Sequence, residues 1–475
     1  MIDHRTDDDR CPGISAHGLD MLRFLREHPN APRYTAQSGH RLTPDRLAQV
    51  HAFDAELRAG PHGWSHGETP RWLLDFVAMC YRDVPFYRAY GAQPRSFLDI
   101  PTCERADLSR EPWNFVPDSL SLDGLMVHRT SGTSGHPVTI ISHPVAGASY
   151  LPLLRIALAA YGVTLSASRG RVAYLLVGWQ RKSFTYPSVV PEMDDAGTAK
   201  LNLHPDDWND PDDRAKFLDA CDPEFYTGDP LAFAELAKLP LRTRPKALIS
   251  TAMMLLPGLR RSLEERFGCP VIDLYAMNEA GPIAFEQTGR YTLLQPRLYV
   301  EILGAAGVDA EGAVGLPAGG FLPPARRCAG LENLRLPGVR GEVVLTGGLN
   351  PFLPLLRYRT SDHASMFFQG SQPVLVGLEG RQPTTFRTTA GEIINNLDVT
   401  SNLKPFALPQ FSLHQAADGA LTLRVRAAAD TAQARSGVRA ALLALFGPAQ
   451  RLAIEVADEP GDATGKVMQY TSDMN

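Results

Sequence analysis

Apolar and polar positions along the chain first follow helical spacing and then alternate between short apolar runs and helical segments. Apolar positions recur at helical spacing from about residue 18 to 90, as in Trp72–Met79. From about residue 120 to 375, short apolar runs such as Val172–Val177 are separated by stretches with helical patterns. This alternation is typical of α/β layers.

The last part of the chain has a pattern of its own. Residues 421–425 alternate as a half-buried strand after the Asp418-Gly419 turn. A helix is predicted over 431–446, ended by Gly447-Pro448, and a second alternating strand follows at 452–456. Such a unit is large enough to form a small separate domain. We therefore predict a fold with a large multi-layer α/β N-terminal region of mixed sheets and helices and a small α+β C-terminal domain.

Length and residue pattern also suggest where the domains begin and end. The chain has 475 residues, which is too long for a single core and suggests two to four domains. We predict a disordered head over 1–17, a large N-terminal domain over 18–379 and a small C-terminal domain over 380–475. A long loop rich in glycine, alanine and proline is expected over 304–330.

Composition and charge exclude several classes of protein. The net charge of −5 and the pI of 6.2 give no electrostatic argument for nucleic acid or an anionic membrane as partner. The six scattered cysteines include no C-x-x-C pair, which argues against a zinc site or a disulfide framework. The acidic start of the chain is unlike a signal peptide, and the apolar window 150–167 contains a proline, an arginine and a glycine, which favours a buried helix. We expect a soluble, cytoplasmic protein.

The run His128–Pro137 carries the most informative chemistry. It lies between strand-forming residues and contains small hydroxyls and glycines, which predicts a hairpin turn with an exposed backbone. Backbone N–H groups and hydroxyls in such a loop suit a polyphosphate. A surface loop without a ligand would have a similar sequence. The candidate phosphate-binding residues are Thr130, Ser131, Gly132, Thr133, Ser134 and Gly135.

Two further runs leave predicted strands and end in a carboxylate. Tyr275 could stack on a base, and Glu279 could bind a hard cation. Asp362 could accept hydrogen bonds from ribose hydroxyls. The alternatives are a strand end with a solvated Glu279, and a solvated strand face for the neighbouring Arg357 and Arg359.

Two other candidates are less specific. Lys466 follows a glycine near the C-terminus, where a flexible ammonium could be carried to an anion, although most such lysines are ordinary surface residues. The aromatic side chains of Trp179, Phe184 and Tyr186 could pack against a planar acid, or they could belong to an ordinary core.

Taken together and in order, these motifs resemble the adenylate-forming superfamily, and within it the phenylacetate–CoA ligase-like branch. The run Thr130–Pro137 resembles the family's phosphate loop, and Tyr275–Glu279 its Y-G-x-x-E segment. The runs Gly341–Thr346 and Arg357–Asp362 resemble its G-E-hydrophobic-T and R-Y-R-T-x-D segments. The remaining matches are Gly380-Arg381 with the start of the hinge, Gly465-Lys466 with the C-terminal catalytic lysine, and Val84–Arg88 with an N-terminal signature.

The resemblance implies a two-step reaction. A carboxylate, aromatic or small, attacks the α-phosphorus of ATP to give an acyl-adenylate and pyrophosphate, and an acceptor such as CoA then takes the acyl group. The loop would grip the β- and γ-phosphates, Tyr275 would stack on adenine, and Glu279 would ligate Mg²⁺. Asp362 and Arg381 would hold the ribose. Lys466 would act in adenylation and then move away as the small C-terminal domain rotates.

Two departures from the family pattern affect different parts of this reaction. His136 stands where the family's loop usually carries a lysine, which weakens phosphate attraction because an imidazole is mostly neutral at pH 7. The hinge run Gly380–Thr384 lacks both usual aspartates and contains Pro383, which stiffens the backbone. An amine, a carrier-protein thiol or another small nucleophile therefore stays open as acceptor. A non-catalytic nucleotide-binding homologue also stays open, as does a homodimer.

Overall fold

The structure is a computed structural model of the chain. It describes residues 5–60, 62–129, 138–180, 183–304, 340–380, 384–403, 405–406, 408, 411–425, 431–456 and 469–474. The predicted loop 304–330 lies outside these ranges from residue 305 onward.

The described residues form α-helices together with a few short 3-10 helices. The helices are α1 (Asp7–Arg10), α2 (Ala16–Glu27), α3 (Pro44–Arg58), α4 (Arg71–Asp83), α5 (Pro85–Arg88), α6 (Arg105–Arg110), α7 (Pro144–Ala148), α8 (Tyr150–Ala160), α9 (Asp213–Cys221), α10 (Pro230–Lys238), α11 (Pro257–Phe267), α12 (Asn396–Leu403) and α13 (Thr431–Phe446). None of these helices is long and apolar enough to cross a membrane.

The strands of the described residues belong to one large sheet and three smaller ones. They are β1 (Met126–Arg129), β2 (Thr139–Ser142), β3 (Val172–Gly178), β4 (Tyr186–Val190), β5 (Ala196–Asn202), β6 (Phe225–Gly228), β7 (Ala247–Ser250), β8 (Val271–Met277), β9 (Gly281–Gln287), β10 (Arg290–Leu293), β11 (Leu298–Leu303), β12 (Gly341–Gly347), β13 (Leu355–Gln369), β14 (Gln372–Glu379), β15 (Thr385–Arg387), β16 (Ile393–Asn395), β17 (Phe411–Gln415), β18 (Leu421–Val425), β19 (Leu452–Val456) and β20 (Tyr470–Ser472).

The large sheet has twelve strands in the order β11-β12-β13-β14-β10-β9-β8-β7-β6-β3-β5-β4. Strands β5, β3, β6, β7 and β8 run parallel, and the antiparallel β4 flanks them at one edge. From β8 through β9 to β11 every neighbouring pair is antiparallel. Because all the parallel strands end at one edge, that edge gathers the loops in which α/β proteins bind ligands.

Separate apolar clusters cover the two faces of the parallel half of the sheet. On β3 the side chains of Leu175 and Val177 belong to a cluster with α2, α9, α10 and α11, and they are almost completely buried. Ala173 and Phe225 face a second cluster formed with α8. The continuous apolar runs of these strands are typical of a sheet that is covered on both sides.

The chain after Glu379 forms its own small sheet. This sheet has four strands in the order β19-β18-β17-β20, and α12 and α13 pack on it in one apolar cluster. Leu256, the N-cap residue of α11, also belongs to that cluster. Helix α13 and strands β18 and β19 lie at the positions that the alternating pattern predicts. The boundary at residue 380 and the rotation of this part remain predictions.

The described part of the predicted disordered head, residues 5–17, is ordered instead. Thr6 caps α1 and forms a capping box with Asp9, and Ser15 caps α2 through the N–H of Gly18. Arg10 is buried, and Arg26 binds Asp7 through two hydrogen bonds of 2.7 Å. Caps and ion pairs of this kind compensate for the polar composition that predicted disorder.

Candidate active site

The candidate residues Tyr275 and Asp362 meet at the carboxyl end of β8. The hydroxyl of Tyr275 donates a hydrogen bond of 2.7 Å to Oδ2 of Asp362, which lies on β13. Burial, and then the negative charge of Asp362, raise the pKa of Tyr275 well above its usual value, so the phenol stays a donor. The structure thus places side by side an aromatic ring and a carboxylate that lie 87 residues apart in sequence.

Strand β12 holds Asp362 in position through the two sequence motifs that precede it. Glu342 accepts two hydrogen bonds from the guanidinium of Arg359, at 2.8 and 2.6 Å, and one from the N–H of Ser361. The hydroxyl of Thr360 donates to the carbonyl of Val343 and accepts from the N–H of Asp362. The motif residues therefore fix the backbone on which the carboxylate is carried.

Arg357 is not part of a solvated strand face. Its side chain is buried and pairs with Glu301 at 3.1 Å, and it also donates to the carbonyls of Leu98 and Ile100. A buried guanidinium with this many partners anchors β13 to the segment before α6. Its role in the structure is to support the strand that carries Asp362.

Glu279 is buried next to a cation. Its side chain is 3% exposed, and its Oε1 accepts a hydrogen bond of 2.6 Å from Arg105 on α6. The hydroxyl of Tyr358 donates to the same oxygen at 3.4 Å. Glu279 is therefore not the solvated strand-end carboxylate of the alternative interpretation.

The fit of Glu279 to a magnesium ion depends on its other oxygen. Among the described residues, no hydrogen bond reaches Oε2 of Glu279, and no group of three or more His, Cys, Asp or Glu residues could hold a metal. Mg²⁺ commonly takes one or two carboxylates and completes its shell with waters and substrate phosphates. One oxygen of Glu279 fits that pattern, with Arg105 beside it.

The glycine that follows Glu279 allows a close approach. Gly281 has a φ of +76°, and a Cβ there would lie 3.1 Å from the ring of Tyr150 on α8. Burial and the charge of Glu279 raise the pKa of Tyr150 to about 12. The turn between β8 and β9 thus brings α8 against the carboxylate.

The strand that ends at the predicted hinge also contacts this site. A Cβ on Gly380 would lie 3.3 Å from Oδ1 of Asp362. The preceding Glu379 is buried and binds Arg340, and it also accepts a hydrogen bond from Asn396 on α12. The start of the predicted C-terminal domain therefore lies directly against the Tyr275–Asp362 pair.

The three aromatic residues predicted for the substrate pocket do not all lie in one place. Phe184 and Tyr186 lie together with ring centroids 5.3 Å apart, and Phe184 is exposed. Trp179 instead packs against His204 and the cluster on the other face of the sheet. Only Tyr186, on β4, lies on the sheet face that α8 covers.

Several predicted site residues lie outside the described ranges. They are Thr130, Ser131, Gly132, Thr133, Ser134, Gly135, His136, Arg381 and Lys466. The strands on both sides of the loop are described, and β1 pairs with β2 in the antiparallel register expected of the predicted hairpin. The roles of these nine residues remain predictions.

The partners of Glu279 left no signal in the sequence. Arg105 begins α6 without any motif around it, and its distance of 174 residues from Glu279 gave no signal. Tyr358 lies inside the R-Y-R-T-x-D segment, but its hydroxyl could not be assigned to a partner from sequence. Glu342 was quoted in a motif without its role as the carboxylate that fixes Arg359.

Comparison with known proteins identifies the fold. No protein-family model matches the sequence, and no curated protein does. A solved structure of 2-hydroxyisobutyryl-CoA ligase in the postadenylation state with R3-HIB-AMP matches with a TM-score of 0.57 at 16% identity, covering 90% of this chain and 92% of that one. The same ligase with 2-HIB-AMP matches with a TM-score of 0.58 at 17% identity, covering 87% and 91%. The chain thus has the fold of these adenylate-forming acyl-CoA ligases, which confirms the predicted fold class.

Proposed function

We propose that this chain, which has the fold of the adenylate-forming acyl-CoA ligases, activates a carboxylic acid with ATP and releases pyrophosphate. The acyl group of the adenylate then passes to an acceptor such as CoA. The observation that carries the proposal is the Tyr275–Asp362 pair, joined at 2.7 Å at the end of a central strand. The matching 2-hydroxyisobutyryl-CoA ligase structures hold acyl-AMP compounds.

The chemistry mainly requires that two anions be brought together in line. The carboxylate of the acid and the α-phosphate repel each other, so rate enhancement comes from positioning and from charge neutralisation. In our proposal Asp362 accepts hydrogen bonds from the ribose, and the ring of Tyr275 orients the adenine. Glu279, fixed by Arg105, would hold Mg²⁺ through Oε2, and this ion would neutralise phosphate charge when bound.

For the residues outside the described ranges, the proposed roles follow from the resemblance to the family's motifs. Thr130 to Gly135 would bind the β- and γ-phosphates through backbone N–H groups and hydroxyls. Arg381 would contact the ribose. Lys466 would bridge the substrate carboxylate and the α-phosphate, and it would leave when the C-terminal part rotates about Arg381.

The proposal also covers the acceptor of the acyl group, the location in the cell and the assembly. CoA is favoured because the matching solved structures belong to a CoA ligase. An amine or a carrier-protein thiol would serve with the same adenylate. We further propose a cytoplasmic enzyme of biosynthesis, with a homodimer as its candidate assembly.

ATP–pyrophosphate exchange with a panel of aromatic and aliphatic acids tests the first half-reaction. We expect exchange with at least one acid, and we expect Asp362→Asn to weaken ATP binding by about 10- to 100-fold because a charged hydrogen-bond acceptor is lost. Asp20→Asn, which changes an exposed carboxylate paired with Arg23, is the matched control and should leave exchange unchanged.

Lys466→Ala separates catalysis from nucleotide binding. The variant should lose adenylate formation while it still binds ATP. Normal exchange by this variant would show that the role of Lys466 is wrong. No exchange with any acid, together with measurable ATP binding, would instead identify a nucleotide-binding homologue without activity. Mass spectrometry of the products formed with candidate acids and acceptors then identifies both substrates.

A further inference from the structure

One face of the parallel sheet is only partly covered near the carboxyl ends of its strands. On β3, Leu175 and Val177 are buried on one face, whereas Tyr174 and Leu176 on the α8 face are half-buried. The same holds on β5, where Ala199 and Leu201 are buried and Thr198 and Lys200 are half-buried. Among the described residues, helix α8 thus leaves these four side chains partly accessible, and we call the strip of sheet that they form the groove.

The lining of the groove follows from the strand register. Lys200 lies directly opposite Tyr186 of β4 and beside Leu176 of β3. Residues paired in this way project from the same face of a sheet. The groove thus has an aromatic ring and an aliphatic side chain on either side of one ammonium group.

Lys200 has no anionic partner among the residues that the structure describes. Its pKa is lowered by burial alone, with no carboxylate acting to raise it. A half-buried ammonium without a counter-ion is costly, which makes it a strong attractor for an anion that enters the groove.

The side chain of His128 on β1 lies close enough to Lys200 for the charge of the ammonium to act on it. Burial lowers the pKa of His128 on β1, and the positive charges of Lys200 and Arg41 lower it further. His128 is therefore neutral at pH 7, and the charges that act on it from Lys200 and Arg41 are both positive. Lys200 and Arg41 contribute positive charge here, whereas the carboxyl group of Glu192, whose charge acts on Tyr174, has its pKa raised to about 7 by burial.

The position of Lys200 relative to Tyr275 indicates which part of a substrate it can reach. Strand β5 is four strands away from β8, which corresponds to roughly 19 Å across the sheet. The ammonium is thus too far away to contact an adenine or ribose at the Tyr275–Asp362 pair. An acid that is joined to the nucleotide and also reaches Lys200 would have to extend over the carboxyl ends of the strands between β8 and β5.

We propose that Lys200 binds a second anionic group at the far end of the acid, so that the preferred substrate is a dicarboxylic acid or a similar dianion with an apolar or aromatic middle part. This assignment of the substrate class rests on the proposed function. Tyr186 and Leu176 would pack against the middle part of the acid, and the ammonium would pair with its distal carboxylate.

Matched pairs of acids test the proposal. The probes are phenylacetate against 4-carboxyphenylacetate, and hexanoate against adipate, used with the wild type and with Lys200→Met. Direct binding is measured by calorimetry without nucleotide, and ATP–pyrophosphate exchange is measured in parallel. We expect the wild type to prefer the dianion of each pair, and Lys200→Met to lose at least about tenfold in dianion affinity with little change for the monoanion.

A control and two outcomes keep this result separate from the proposed function. Lys216→Met removes an exposed lysine that is paired with Asp213 at 3.0 Å, and it should leave all four affinities unchanged. Equal losses for monoanions and dianions in Lys200→Met, or a loss confined to the KM for ATP, would overturn the role of Lys200. Selective dianion binding without any exchange would support the site and contradict the proposed adenylation.

Discussion

The ion pair between Arg105 and Glu279 gives a quantitative test of the site's construction. Arg105→Met removes the guanidinium but keeps much of its apolar stem. Among the described residues, Glu279, 3% exposed, then keeps the hydroxyl of Tyr358, 3.4 Å away, as its one hydrogen-bond donor. We therefore expect the variant to be less stable than the wild type, because a buried charge has lost its compensation.

The magnitude follows from the burial of the two partners. Removal of one partner from a fully buried pair costs about 3–5 kcal/mol. Arg105 is 30% exposed, so water can replace part of its effect, and we expect a loss of about 2 kcal/mol in the free energy of unfolding. The double variant Arg105→Met/Glu279→Gln should recover part of that loss, since it no longer buries a lone charge.

Urea unfolding followed by tryptophan fluorescence measures this effect in the right part of the chain. The five tryptophans all precede residue 209, so the signal reports the part of the chain that contains Arg105. Arg88→Met is the matched control, because Arg88 and Asp118 form an ion pair of similar length, 2.7 Å, between exposed side chains. That control should lose less than about 0.5 kcal/mol.

Two results would refute this reasoning. The first is a loss in Arg105→Met no larger than in Arg88→Met. The second is a double variant that is no more stable than Arg105→Met alone, which would show that the charge of Glu279 does not need compensation.

Two further variants test buried groups next to the site. Burial raises the pKa of Asp273, which accepts a hydrogen bond from Tyr291, to about 6. The folded state then holds a proton that the unfolded state releases near pH 4, so the free energy of unfolding falls as the pH rises through 6. Asp273→Asn should remove that fall. In urea titrations its free energy of unfolding should rise by about 1 kcal/mol relative to the wild type between pH 5.0 and 7.5. A difference between the two proteins that stays constant with pH would contradict the raised pKa of Asp273. Gly281→Ala should lower the free energy of unfolding by about 1–3 kcal/mol, because the φ of +76° is strained for alanine and the new Cβ would crowd the ring of Tyr150. Gly147→Ala is the control: a Cβ there meets open space, so the free energy of unfolding should not fall.

Much of the fold could be predicted from local patterns. Helix α13 and strands β18 and β19 have the bounds that the residue pattern predicts, because each has a strong period and clear end signals. The order of the twelve strands could not be predicted in the same way, since β14 joins β10 across 78 residues of sequence. The ordered structure of residues 5–17 could not be predicted in this way either, because it depends on Arg26, a partner outside the segment itself.

The candidate site, like the fold, could be predicted from sequence only in part. Tyr275 and Asp362 could be selected from sequence because each follows a strand and belongs to a motif. Their hydrogen bond, and the capture of Glu279 by Arg105, depend on the packing of distant segments and left no local signal. Lys200 belongs to no motif in the sequence. The register of β4 and β5 places it opposite Tyr186, and no described carboxylate acts on its pKa.

The close approach of Gly380 to Asp362 has a consequence for the mutational tolerance of the chain. Any side chain at position 380 would bring its Cβ within 3.3 Å of a carboxylate oxygen whose partner oxygen is already held by Tyr275. The carboxylate would have to shift by a few tenths of an ångström, which strains that hydrogen bond. In a scan of all substitutions, position 380 should therefore be about as sensitive as Asp362, although a glycine contributes no chemical group to the site.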